Sequence, residues 1–162
     1  MRKTLVATCT LILLAIPAGA AWARGDGWQK LNNQPVDASC GSTTVHVTFP
    51  VDNEYFRTLT LRDGTVELQT TGRLVTNFAT DSGASVSLNT SGPSKFFIYP
   101  NGDAEFRGTG LTSGPGFLLP SGSPDIFVSS GPLDDIFHPD GSITYVRAPH
   151  HVTDVCAALG LS

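Results

Sequence analysis

Asp63-Gly64, Asn101-Gly102 and Asp140-Gly141 each stand between two short apolar segments. Glycine takes positive φ without steric cost, so Asn-Gly and Asp-Gly in this setting mark tight β-hairpins. In Pro100-Asn101-Gly102 and Pro139-Asp140-Gly141 the proline also presets φ, which predicts a type I turn closed by a glycine bulge. Asp81-Ser82-Gly83 reads as a further turn. The segments between the turns have period two. Val45, Val47, Phe49 and Val51 alternate with His46, Thr48 and Pro50; Val66 and Leu68 alternate with Glu67 and Gln69; Val86 and Leu88 stand among Ser85, Ser87 and Asn89. Period two sends one set to a core and the other to water. Phe96-Phe97-Ile98-Tyr99 is continuous, which predicts a strand covered on both faces. Further strands fit residues 55–61, 74–80, 104–107, 126–129 and 143–147. So punctuated a chain predicts an all-β fold: a single antiparallel β-barrel or two-sheet sandwich of about eight strands. One short C-terminal helix fits residues 153–160, from a capping Thr153 to Gly160.

The ends of the chain set its compartment. Arg2 and Lys3 precede an apolar run, Leu5 to Ile16, broken only by Thr8 and Thr10. Ala18-Gly19-Ala20 and Ala21-Trp22-Ala23 follow. This is the layout of a secretory signal peptide over residues 1–23, with cleavage between Ala23 and Arg24. Residues 24–39 show no period and read as an irregular lead-in, and residues 40–162 as one β domain. With the leader gone, eight basic residues face fourteen acidic ones, a net charge of −6. That excess speaks against nucleic acid and against an anionic membrane surface. No later stretch has the length of a transmembrane segment. Two cysteines remain, Cys40 and Cys156, and an isolated pair in an exported chain is expected to form a disulfide that ties the two ends together.

Ser82–Gly102 and Ser121–Gly141, 39 positions apart, agree at seven of twenty-one positions. All seven are Ser, Gly or Pro, the residues of turns. Successive hairpins of one size would reuse them. A β-trefoil-like repeat is the alternative architecture, but no aromatic signature recurs three times.

Motifs of chemistry are largely missing. The sequence has no G-x-S-x-G elbow, no S-x-x-K, no phosphate-cradling G-x-x-x-x-G-K, no H-E-x-x-H and no EF-hand loop. With both cysteines bridged no thiolate nucleophile remains. His138, His150, His151 and Asp154 form the one candidate polar cluster. Imidazoles beside a carboxylate suit zinc or copper, but adjacent residues on a strand point to opposite faces, so a solvated loop is the plainer reading. Glu67 and Glu105 each follow a turn; a carboxylate pair can do acid–base work on a sugar, whereas alternation places both outward on strands. Asp134, Asp135 and Asp140 read as a solubilising acidic loop rather than a calcium loop. No catalytic residue, metal or cofactor is assigned. The many aromatic residues are enough to furnish a core.

The phrases TDSGASVSLNTSGP, PNGDAEFRGTG and DVCAALG, with an early cysteine behind a signal peptide, carry a resemblance. Over residues 40–159 the chain resembles small exported β-rich proteins of actinomycete-type bacteria. The resemblance implies export, a β fold and the Cys40–Cys156 bridge, and it brings no reaction and no catalytic residue. The function expected is a non-catalytic binding or interaction module, secreted to the extracellular space, whose partner is a protein, a glycan or a small ligand. The alternatives are a carrier of an apolar ligand or glycan with a pocket in the β domain, and an envelope-polymer hydrolase.

Overall fold

The computed structural model describes residues 27–161. The expected signal segment, with its expected Ala23–Arg24 cleavage point, lies outside the described residues. Ten strands form one antiparallel sheet: β1 (Gln29–Lys30), β2 (Val36–Cys40), β3 (Thr43–Thr60), β4 (Val66–Ala79), β5 (Ser85–Asn89), β6 (Ser94–Ile98), β7 (Ala104–Pro115), β8 (Ile126–Phe137), β9 (Ile143–Arg147) and β10 (His151–Asp154). A single 3₁₀ turn, Gly116–Leu118, links β7 to β8, and α1 (Val155–Ala158) closes the chain.

Four long strands organise everything else. β3 with β4 and β7 with β8 make two long hairpins, and each long strand carries different neighbours along its two halves. β4 pairs with β6 over Val66–Thr70 and with β5 over Val75–Ala79. β8 pairs with β9 near its end and with β10 near its start. The upper halves therefore join through β6 into one sheet running β1-β3-β4-β6-β7-β8-β9. The lower halves separate into two leaves, β2-β3-β4-β5 and β7-β8-β10, which close on a shared core. Val45, Val47 and Phe78 of one leaf meet Ile126 and Val128 of the other, with Val155 and Leu159 beneath. Cys40 and Cys156 join the leaves at this core, their Cα atoms 5.6 Å apart. On the other side of β8, Phe127 and Leu133 pack with Leu119, so the start of β8 is buried on both faces.

The architecture is thus all-β and sandwich-like at one end. No barrel closes, and one continuous sheet replaces the trefoil-like alternative. Two strands lie where the sequence reads as an irregular lead-in: β1 and β2 are outer strands exposed over most of their length, so they need no alternation. β10 replaces the expected loop at His151. The helix is one turn, capped by Asp154 rather than Thr153; the Asp154 carboxylate accepts from Ala157 N–H at 3.0 Å.

The echo is a matter of turns. Residues 61–65, 80–84, 99–103 and 138–142 repeat the same two backbone hydrogen bonds. Their glycines, Gly64, Gly83, Gly102 and Gly141, have φ between 85° and 92°, which is the predicted glycine bulge. The Ser-Gly-Pro matches are not equivalent: Ser91-Gly92-Pro93 separates β5 from β6, whereas Ser130-Gly131-Pro132 lies inside β8. A methyl group on Gly92 would sit 2.2 Å from the Leu111 carbonyl oxygen, and Gly131 has φ +102° against the His150 ring.

Candidate functional site

Opposed residues on neighbouring antiparallel strands share a face. Across the upper sheet one row reads Leu59, Glu67, Phe97, Glu105, Ile136, Thr144. The next row reads Arg57, Gln69, Lys95, Arg107, Asp134, Arg147. Together they make a polar face whose carboxylates are sunk rather than presented. Glu67 is 6 % exposed and Glu105 4 %. Lys95 Nζ reaches Glu67 at 2.8 Å, and Gln69 donates to the same carboxylate at 2.7 Å while accepting from Arg57 Nε at 2.8 Å. Glu105 accepts from Arg107 Nε at 2.5 Å and from the Tyr99 hydroxyl. Phe97, apolar on a polar face, lies stacked beside Tyr99 under the Arg107 guanidinium, 4.8 Å from its ring. Arg57 covers the Trp28 ring at the same distance.

The pairing sets the charges. Lys95 first, then Gln69, holds the Glu67 pKa below its ordinary value. Burial works to raise that of Glu105, but bonds from Arg107 and Tyr99 outweigh it and the pKa falls. Burial, and then the Glu105 carboxylate beside it, raises that of Asp134. At neutral pH Glu67 and Glu105 are therefore ionised and bound to their cations.

Where this face meets the turns there is an open hollow of about 510 Å³, lined by Asp63, Thr65, Tyr99, Asn101, Asp103 and Glu105 over Ile136 and beside Pro100. Two hairpin turns, 61–65 and 99–103, line it, and the 138–142 turn braces the second of them. The Pro100 ring lies against the Cβ side of Gly64, and the Pro139 ring against that of Gly102, so each turn is braced by the next. Asp63, Asn101 and Asp140 each accept from the backbone N–H two residues on. Asp103 is fixed on both oxygens, by His138 Nδ1 at 2.9 Å and by Asn101 Nδ2 at 2.8 Å. His138 Nε2 in turn lies 2.8 Å from the Thr144 hydroxyl. The bond to His138, then that to Asn101, lowers the Asp103 pKa, and the Thr65 N–H lowers that of Asp63. The hollow is an array of rigid acceptors with one phenol in its wall.

Several expectations need correction. His138, His150, His151 and Asp154 do not form a cluster. His151 pairs with Ser130, eight residues along β8 from His138, a separation of ~26 Å at the rise of a strand. The His150 N–H bonds the Ser130 carbonyl, and Asp154 caps α1. Glu67 and Glu105 do not point freely outward but lie buried on either side of Phe97. Asp134 and Asp135 are no loop: they are consecutive positions on β8, and Asp135 is fully buried on the opposite face. Among the described residues no group of three or more His, Cys, Asp and Glu side chains is arranged to hold a metal ion. His46 bridges Asp37 and Asp81 at 2.7 and 2.9 Å beside a second hollow of about 310 Å³, clamping β2 to the 80–84 turn. Sequence reasoning missed Arg57, Lys95 and Arg107. Their signal is period two: Lys95-x-Phe97-x-Tyr99 and Glu105-x-Arg107 each place alternate residues on this one face.

No family model, curated protein or solved structure matches the chain.

Proposed function

We propose that the chain is an exported, non-catalytic binding module that takes a glycan segment in the hollow at the turn rim. One observation carries the reading: acceptors of two interlocked turns, Asp63 of one and Asn101 and Asp103 of the other, converge beside the Tyr99 ring. A sugar presents many hydroxyl donors and an apolar ring face, the complement of carboxylate and amide oxygens next to an aromatic. The hollow falls within the ~300–1,000 Å³ of small-ligand sites. Its carboxylates disfavour anionic ligands, as does the acidic excess of the whole chain. The signal-like N-terminus and the Cys40–Cys156 disulfide support export. Titration calorimetry with soluble neutral cell-wall glycans tests the reading. Tyr99→Ala and Asp103→Asn are expected to weaken binding at least tenfold, and Val36→Ala at the second hollow to leave it unchanged. Equal affinity of all three variants and the parent would remove the site.

A second reading rests on the chain of bonds Asp103–His138–Thr144, which has the connectivity of a hydrolytic triad. It favours an envelope-polymer hydrolase. Thr144 Oγ1 would attack an acyl carbon while His138 takes its proton and passes it to the leaving group; water would then release the acid. Hydrolysis of an activated aryl ester above background, abolished in both Thr144→Val and His138→Gln, supports this reading, and turnover equal to background ends it.

A further inference from the structure

The hollow at the turn rim is one-sided in charge. Its wall holds three carboxylates, Asp63, Asp103 and Glu105, and no Lys, Arg or His. Each has its pKa lowered: Asp63 by the Thr65 N–H, Asp103 by His138, and Glu105, against the pull of burial, by Arg107. All three are therefore ionised at neutral pH. Two of them already have partners on basic side chains. Arg107 Nε lies 2.5 Å from Glu105, and His138 Nδ1 2.9 Å from Asp103. Asp63 differs: its Oδ1 accepts from the Thr65 N–H at 3.0 Å, and no cationic side chain among the described residues acts on it. Thr65 adds a second loose end. It lines the hollow at 1 % exposure, and its Oγ1 has no hydrogen-bond partner. Asp63 bonds the N–H of Thr65 and not its hydroxyl, so that oxygen stands beside the carboxylate with its lone pairs unused. A buried polar atom without a partner marks a place where a polar group from outside the chain belongs.

We propose that the glycan held in this hollow carries a free amine, and that Asp63 and Thr65 receive its ammonium group. The inference rests on the glycan reading of the hollow and names the class of sugar, one whose amino group bears no acyl substituent. An unpaired charge beside an unused acceptor calls for a donor that is also a cation. A bare metal ion does not fit, since among the described residues no three His, Cys, Asp and Glu side chains are arranged to hold one. An ammonium needs no such cage. It carries several N–H donors on one atom and can direct two of them to Asp63 Oδ2 and Thr65 Oγ1. The rest of the wall suits the sugar that bears it. The Tyr99 ring, Pro100 and Ile136 offer apolar contact to a ring face, and Asn101 and Asp103 accept from hydroxyls. Acetylation of the amine would remove the charge and leave a single N–H, so the site tells the two forms apart.

Titration calorimetry on the full secreted chain tests the proposal with a matched pair, the linear glucosamine tetramer and its fully N-acetylated counterpart, at a pH where the amines are protonated. The glucosamine tetramer is expected to bind about tenfold tighter, the worth of one hydrogen bond to a charged group. Asp63→Asn and Thr65→Val should each bring the two affinities together and leave the acetylated tetramer unchanged. Asp81→Asn, which removes the same charge from the 80–84 turn, should keep the preference. Equal or tighter binding of the acetylated tetramer overturns the proposal and leaves the glycan reading standing, whereas binding of neither tetramer removes both. A preference that survives in Asp63→Asn and Thr65→Val overturns it, as does a loss in these variants that weakens both tetramers alike, which would be a role in shaping the turn. So does spermidine that competes as well as the glucosamine tetramer, because the sugar ring would then add nothing.

Discussion

Asp135 is fully buried opposite Phe106 and Tyr145, and neither of its carboxylate oxygens has a hydrogen-bond partner. Burial, and then the neighbouring Asp134, pushes its pKa up to about 6 from an ordinary 3.8. Between those two values the folded chain keeps a proton that the unfolded chain has released. Stability on this account is full below pH ~4, falls as the pH rises to ~6, and stays reduced at neutrality, by up to ~3 kcal/mol. Glu67 and Glu105 have the opposite sign: their lowered values give stability that is present at neutral pH and is lost on acidification. Asp135→Asn removes the ionisation and keeps the shape. Urea melts should therefore find the variant more stable than the parent at pH 7 by about 1–3 kcal/mol, with the advantage shrinking towards zero by pH 4. An advantage that did not vary with pH would show that Asp135 does not titrate in this range.

Elements were legible in the sequence where their cause is local. The turns at 61–65, 99–103 and 138–142 follow from three or four residues each, and the turn fixes the register of the hairpin it closes. Once Leu61 bonds Thr65, Arg57 must stand opposite Gln69; once Tyr99 bonds Asp103, Lys95 must stand opposite Arg107. Half of the polar face was thus implicit in the turns. The other half was not, because β4 pairs with β6 across the intervening β5, and nothing local specifies that contact. The same gap put Glu67 and Glu105 on the wrong side of the argument. Alternation placed them correctly on one face, but only the β4–β6–β7 order shows that Lys95, Phe97, Tyr99 and Arg107 bury them there. Conversely, His138 and His150 are close in sequence and far apart along β8, since a strand converts every residue of separation into ~3.3 Å.

At the scale of the molecule, the two leaves of the lower half are brought together by contacts distant in sequence. Cys40 ends β2 in one leaf, Cys156 sits in α1 against the other, and 116 residues separate them. A cross-link over so long a loop restricts the unfolded chain by ~5 kcal/mol on the entropy model. Part of that is offset if the unfolded chain keeps residual structure, so roughly 3–5 kcal/mol is expected from replacing both cysteines by alanine. For a domain of this size that is a fall of about 10–15 °C in melting temperature. The double variant should also have a larger urea m value, because its unfolded state is freer to expand. Hydrogen exchange separates this entropic role from a local one. An unfolded-state effect lowers the protection of the slowest amides throughout β3, β4, β7 and β8 together. A clamp on the C-terminus alone would release β10 and α1 and leave the long hairpins as protected as before. The leaves share one core containing Val45, Phe78, Ile126, Val128 and Val155, so the first pattern is the one expected, and the second would mean that the two hairpins hold together without the bridge.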